Sequence, residues 1–143
     1  MLKISLRKVT KKDWKFILKL RNTKKFRNAF YDQHTITLEE HYKYLRRQQS
    51  NTNFVNWIIC YEGNDVGYIR ILENDVSIMI SEEYNSKGIG TKTLHLVELE
   101  AKKLGIKKLV GRVMIHNKSS QKIFIKNKYK PLMYWYEKQI SRR

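Results

Sequence analysis

Cysteine, proline and acidic residues are all scarce in this chain, and each scarcity removes a class of answer. The one cysteine, Cys60, excludes a disulfide within the chain. It lies in the apolar run Val55-Asn56-Trp57-Ile58-Ile59-Cys60-Tyr61, where a free thiol packs as a small hydrophobe. No histidine or cationic setting beside it points to a nucleophile. One proline and six glycines in 143 residues leave no linker-like stretch, so a single domain over 1–143 is expected. No apolar run approaches the ~20 residues of a membrane helix. Residues 1–7 are too short and interrupted for a signal peptide, so a cytoplasmic location is expected. His34, His41, His95 and His116 are scattered without a second ligand at helical or finger spacing, so no metal site is expected.

What the chain has in excess is positive charge. Thirty Lys and Arg against thirteen Asp and Glu give a net charge of +17. One reading is a solvated Lys-rich surface. The other is an anionic partner: a phosphate-rich cofactor, a nucleotide-linked substrate or nucleic acid. The charge counts against polycationic substrates, which it repels.

Residues 2–9 alternate Ile4 and Leu6 against polar neighbours, as a half-buried strand does. Thr10 and Asp13 open a helix with Trp14, Ile17, Leu18 and Leu20 on its apolar face. Thr37-Leu38-Glu39-Glu40 is a capping box that starts a second helix through His41, Tyr44 and Leu45. Strands are expected at 54–61 and 66–72, joined by the turn Glu62-Gly63-Asn64-Asp65, and at 76–80. A helix is expected over 88–104, stopped by Gly105 in a left-handed cap. A strand at 108–114, a helix at 119–126 and a strand at 132–136 complete an α/β order that is mixed rather than regularly alternating.

Asn85-Ser86-Lys87-Gly88-Ile89-Gly90-Thr91 joins a strand to the long helix. Two glycines permit a tight turn, and the following helix N-terminus offers N–H groups to phosphate oxygens. The run is neither a Walker loop nor a full dinucleotide fingerprint. Downstream, Asn117-Lys118-Ser119-Ser120-Gln121-Lys122-Ile123-Phe124 follows the next expected strand. Together the two motifs resemble Q/R-x-x-G-x-G/A and N-x-x-S/A-x-x-x-Y of the GNAT N-acetyltransferases, across nearly the whole chain. The resemblance implies a twisted, mostly antiparallel mixed sheet flanked by about four helices and splayed at an acetyl-CoA site. It implies that Lys87, Gly88, Ile89, Gly90 and Thr91 hold the cofactor pyrophosphate, with Asn85, in the first place of the loop motif, also among the cofactor-binding residues. Met79, Ile80 and Ser81 would pair with the pantetheine arm, and Asn117 and Phe124 would lie beside it.

The stretch Leu20-Arg21-Asn22-Thr23-Lys24-Lys25-Phe26-Arg27-Asn28-Ala29-Phe30-Tyr31, continued by Ile36-Thr37-Leu38-Glu39-Glu40-His41, is similar to sugar-nucleotide acetyltransferases of the pseudaminic acid pathway. By that resemblance Arg21, Asn22, Arg27, Tyr31 and His41 bind the acceptor. Guanidinium forks suit diphosphate oxygens. For Arg21 the competing reading is a helix-terminal arginine, and for His41 a surface helix residue.

The family pattern breaks twice. Its usual acid, a tyrosine seven residues after the Asn, is Phe124 here, and the place of a glutamate base in the sugar-nucleotide branch is Arg112. Three readings stay open: a substitute acid such as Tyr68 or Tyr129 or none at all, a different substrate, or a fold drifted into binding. The leading expectation is acetyl transfer from acetyl-CoA to a small-molecule primary amine, best taken as a nucleotide-linked amino sugar, with a homodimer left open. Acetylation of a protein or peptide amine would want an acidic groove, which a +17 chain is poorly composed to provide. Nucleic-acid binding through Trp14, Tyr31, Trp57, Trp135 and Tyr136 is the alternative from another class. No recognised nucleic-acid motif accompanies those aromatics.

Overall fold

The computed structural model describes residues 3–29 and 34–141; the side chains of 27–29 lie outside it. Four strands form an antiparallel meander in sequence order: β1 (Ile4–Lys8), β2 (Phe54–Tyr61), β3 (Asn64–Leu72) and β4 (Asp75–Ile80). The helices are α1 (Trp14–Asn22), α2 (Lys24–Ala29), α3 (Leu38–Gln48), α4 (Ile89–Lys103) and α5 (Lys118–Lys126). Short 3-10 turns at Lys11–Asp13 and Glu82–Tyr84 precede α1 and α4. This is the expected α/β class, with α2 an element that the sequence reading did not separate from the stretch after α1.

Side-chain alternation along the strands divides the core into two layers. On one face Trp57, Ile59, Ile69, Ile71 and Val76 pack against Ile89, Leu94, Val97 and Ala101 of α4 and Phe124 of α5. On the other, Ile58, Tyr68 and Met79 pack against Trp14, Ile17 and Leu20 of α1, Phe26 of α2 and Leu45 of α3. The alternation slips once. Ile59 pairs with Gly67 and Cys60 with Asp65, leaving Val66 as the extra residue of a bulge. Val66 therefore turns into the α4 layer, two residues from Tyr68 in the other. Cys60 is half-buried beside Asp65, and burial pushes its thiol pKa up, which suits a packing thiol rather than a nucleophile.

Local signals read from the chain hold where they concern helix ends and hairpins. Thr37 Oγ1 accepts from the Glu40 N–H at 3.1 Å while Glu40 accepts from the Thr37 N–H at 3.1 Å. Gly105 adopts φ +77° just past α4, and the Ile106 N–H returns to the Ala101 carbonyl at 2.9 Å.

Two expected strands do not form. Of residues 108–114 only Val110 pairs, in one isolated parallel bridge to Asp75. Gly111 falls within this run under the Phe124 ring, where a Cβ would clash with the ring atoms. Residues 132–136 join no strand among the described residues, and their apolar side chains are exposed. An apolar run becomes a strand only where an edge receives it.

Arg7 ties the N-terminal strand to both neighbours. Its guanidinium donates to both Asp13 carboxylate oxygens at 2.8 and 2.9 Å and to Asp65 at 2.9 Å. The Arg7 bonds, aided by the Thr10 N–H at 2.8 Å, hold the Asp13 carboxyl below its ordinary 3.8. The unfolded chain thus binds that proton more readily, so this contribution is complete above the unfolded value. It is lost as pH falls through the lower folded value. Asp13→Asn should cost roughly 1–2 kcal/mol at neutral pH, given a half-exposed partner. Urea midpoints of the two proteins should converge as pH drops below about 4; a constant gap down to acid pH would count against the pairing.

Candidate acetyl-CoA site

The site is built on the free edge of β4. One side of β4 is laddered to β3, from Leu72–Asp75 to Gly67–Ile80. The other meets the chain after α4 only where the Val76 N–H donates to Val110 O and the Val110 N–H to Asn74 O, both at 2.8 Å. Backbone groups alternate sides along a strand. Ile78 and Ile80 therefore share Val76's side, with no backbone partner there among the described residues. Met79 and Ser81 face the other way; the Ser81 N–H donates to Val66 O at 2.8 Å. Of the three residues expected to pair with a cofactor arm, Ile80 alone presents its main chain to the gap. Ile78, which the sequence reading passed over, joins it by parity. The Met79 side chain is buried in the α1–α3 layer.

The chain then runs through Glu82–Tyr84 to the glycine loop, where Asn85, Ser86, Lys87 and Gly88 are exposed. Gly88 caps α4 at φ +78°, ψ +7°, a conformation that disfavours any side chain. The first intrahelical donor is the Lys92 N–H, to Gly88 O at 3.2 Å, which leaves the N–H groups of Ile89, Gly90 and Thr91 at the helix mouth. These groups, the helix dipole and Lys87 fit an anionic ligand. Gly90 is different in kind. It is buried, and a Cβ there would come within 2.5 Å of Ile123 Cδ1 and 3.3 Å of Ile80 Cδ1, so it permits close packing of α4 on α5.

The far wall begins at Asn117, the N-cap of α5, whose Oδ1 accepts from the Ser120 N–H at 3.2 Å. Asn127 closes the other end of α5, donating through Nδ2 to Thr91 O at 3.1 Å and Ile123 O at 3.0 Å. Lys25 of α2 donates to Asn85 Oδ1 at 2.6 Å, and burial lowers its pKa. Neither contact has a local signal in the sequence, since each joins residues 36 or more apart.

Phe124 is buried and stacks edge-on with Tyr129 at 4.9 Å. The Tyr129 hydroxyl is buried without a hydrogen-bond partner, and burial, then Glu98, raises its pKa. Tyr68 lies in the α1–α3 layer, its oxygen accepting from Asn56 Nδ2 at 3.1 Å, and burial raises its pKa as well. Arg112 is engaged with the Asp75 carboxylate at 3.2 Å.

The expected acceptor residues do not converge as a group. Asn22 spends both ends of its amide on Ile36, donating to its carbonyl at 2.7 Å and accepting from its N–H at 2.9 Å. His41 is buried, with Nε2 at 2.7 Å from the Trp14 carbonyl, and burial lowers its pKa. These two fasten α1 to the chain around α3. Arg21 is half-buried at the end of α1. The Arg27 side chain and Tyr31 lie outside the described residues.

A family model described as an acetyltransferase (GNAT) domain matches residues 3–130. The chain belongs to that family and is an acetyl-CoA-dependent N-acetyltransferase of the GNAT type. A domain from Methanocaldococcus jannaschii DSM 2661 superposes with a TM-score of 0.84 at 28% identity, over 96% of this chain and 94% of that one. The spermidine N-acetyltransferase of Vibrio cholerae, crystallised with CoA and spermine, gives 0.76 at 16% identity over 85% and 78%. An aminoglycoside acetyltransferase with coenzyme A gives 0.74 at 17% over 90% and 84%. Among the described residues no group of side chains could hold a metal and no helix is long and apolar enough to cross a membrane.

The two loop glycines should separate by experiment. Gly88→Ala should weaken CoA binding in calorimetry at least about tenfold, with a stability loss near 1 kcal/mol from left-handed strain. Gly90→Ala should instead cost about 1–3 kcal/mol by overpacking. Trimming its neighbour with Ile123→Val should recover part of that loss. Equal stability losses at both positions, without recovery in the double variant, would contradict this division of roles.

Proposed function

We propose that the chain acetylates the primary amine of a small anionic molecule, best taken as a nucleotide-linked amino sugar. The observation that carries the reading is the unpaired main chain of Ile78 and Ile80 running to the mouth of α4. Acetyl-CoA supplies an activated thioester. The N–H groups of Ile89, Gly90 and Thr91, with Lys87, suit its pyrophosphate, and the edge of β4 suits its arm. Asn85 and Asn117 flank that path. The Ile80 N–H is a fixed donor for the charge that gathers on the acyl oxygen as the amine nitrogen bonds to carbon and the C–S bond breaks.

Neither tyrosine is tuned as an acid. Burial raises both pKa values away from the operating pH, where a proton donor works best. On this reading the thiolate departs to solvent without an internal acid, and water takes the amine proton. Phe124 in the usual tyrosine place agrees with this. Tyr68→Phe and Tyr129→Phe should each change kcat by less than about tenfold, whereas a true general acid is worth roughly 10²–10⁴-fold. A loss in that larger range for either variant would assign it the role.

The acceptor rests on charge. Spermidine and aminoglycosides are polyamines, which a +17 chain repels. An amine carried on a diphosphate is attracted, and Arg21 and Arg27 are the guanidinium groups offered by the segment that resembles the sugar-nucleotide enzymes. Arg21→Ala and Arg27→Ala should raise the acceptor KM about ten- to hundredfold, as expected for losing a charge-assisted bond, with CoA affinity unchanged. Turnover of polyamines with no turnover across UDP-, dTDP- and GDP-linked amino sugars would overturn this assignment. CoA binding without turnover of any amine would favour the second reading, a cofactor-binding domain with weakened chemistry, which Phe124 and the engaged Arg112 favour.

A further inference from the structure

A cation carried on α2 stands at the glycine loop without a carboxylate partner among the described residues. Its place is set by Thr23, where α1 stops in extended backbone (φ −64°, ψ 149°). The Thr23 hydroxyl donates to Leu20 O at 2.9 Å and accepts from the Phe26 N–H at 3.4 Å, so one side chain closes α1 and opens α2. Phe26 is then buried in the layer that holds Met79 of β4. With Phe26 fixed inward, its neighbour Lys25 reaches across 60 residues of sequence to the loop that begins at Asn85.

The Lys25 ammonium lies 5.1 Å from the centre of the Phe26 ring and donates to Asn85 Oδ1 at 2.6 Å. An ammonium has three donors, and a carboxamide oxygen takes one of them without neutralising the charge. Glu82 acts on that charge from further off, and burial outweighs it, lowering the Lys25 pKa. Lys24 and Lys87, on the same helix and the same loop, are exposed and solvated, whereas Lys25 is half-buried. A partly desolvated cation held by a neutral group is costly, and an anion beside it removes that cost.

We infer that Lys25 is a ligand for a phosphate of acetyl-CoA, so that the segment ahead of α3 supplies part of the cofactor site. This role rests on the proposed path of the cofactor, with its phosphates at the mouth of α4. Asn85 opens the loop that Gly88 closes, and Gly88 caps α4. An ammonium on Asn85 Oδ1 therefore stands at the phosphate end of that path. Its flexible four-carbon stem lets it keep Asn85 or turn towards an incoming phosphate. An acceptor phosphate fits less well. The acyl position proposed at Ile80 lies on the other side of the Glu82–Tyr84 turn from Asn85.

Calorimetry of the full chain with CoA tests the role. Lys25→Met keeps the apolar stem and removes the charge. It should raise the CoA Kd about ten- to hundredfold, as expected for losing a charge-assisted bond. Its CoA affinity should also fall less steeply with added salt than that of the wild type, while Lys25→Arg should retain the wild-type salt dependence. Asn85→Ala removes the neutral partner and leaves the cation, so it too should retain that dependence. Dephospho-CoA separates the two phosphate sources. A Lys25→Met loss that persists with it assigns the pyrophosphate, and a loss that vanishes assigns the 3′-phosphate. An unchanged CoA Kd in Lys25→Met, with Gly88→Ala impaired, would overturn the role and leave the loop as the pyrophosphate site. Unchanged affinity in both variants would remove the loop site and the role with it. Equal losses in Lys25→Met and Asn85→Ala, at unaltered salt dependence, would reduce Lys25 to a structural prop for Asn85. A KM effect confined to a UDP-linked amino sugar, with CoA binding intact, would overturn the role in favour of an acceptor phosphate.

Discussion

Everything particular to this molecule depends on pairing that starts at Asp75 and Val110 and then stops. One parallel bridge joins the chain after α4 to the sheet. Asp75 pins that point with its carboxylate, held by Arg70 at 3.0 Å and Arg112 at 3.2 Å. Beyond it β4 continues to Ile80 while residues 111–115 depart under Phe124. Among the described residues, the gap-facing main-chain groups of Ile78 and Ile80 and the N–H groups of 111–114 are left without protein partners. None of these residues is fully buried, so water meets groups that no ligand or strand covers. Under the proposed function, the edge at Ile78 and Ile80 is the one that receives the cofactor arm.

The divergence is held open by side chains of small or missing volume. Gly111 lets the chain cross the Phe124 ring, and Gly90 lets α4 approach Ile123 and Ile80. The bulge at Val66 lies at the same end of the sheet, where Gly67 pairs with Ile80 and the Ser81 N–H finds Val66 O. Bulges gather next to active sites because they bend a strand and re-aim its neighbours.

Legibility in the sequence followed the range of the interaction. The capping box at Thr37, the left-handed stop at Gly105 and the alternation of β2 and β3 are decided within a few residues, and all three were readable. The strands expected at 108–114 and 132–136 were not, because an apolar run records a tendency to be buried and says nothing of which edge will receive it. His41 and Asn22 show the same limit at the level of single side chains. Each sits in a motif that suggests a ligand, yet each is occupied by a backbone group 27 or 14 residues away, at Trp14 and Ile36. The links from Lys25 to Asn85 and from Asn127 to Thr91 leave no local trace at all. The glycine loop promised a tight turn, and the left-handed conformation of Gly88 supplies it. It could not reveal that Gly90 serves packing, since that depends on Ile123.

A site whose donors are main-chain N–H groups is insensitive to side-chain change in a way that a dyad or triad is not. The Ile80 N–H stays in place whatever residue occupies position 80, as long as β4 keeps its pairing with β3. The same is true of the N–H groups at the mouth of α4. Side chains around such a site are then free to serve the core. Phe124 fills the layer beneath Gly111, and Tyr129 stacks against it with a hydroxyl that has no partner. Phe124, in the usual tyrosine place, thus serves the packing where the chain after α4 crosses α5 at Gly111, and Gly111 is the residue that lets the two come this close.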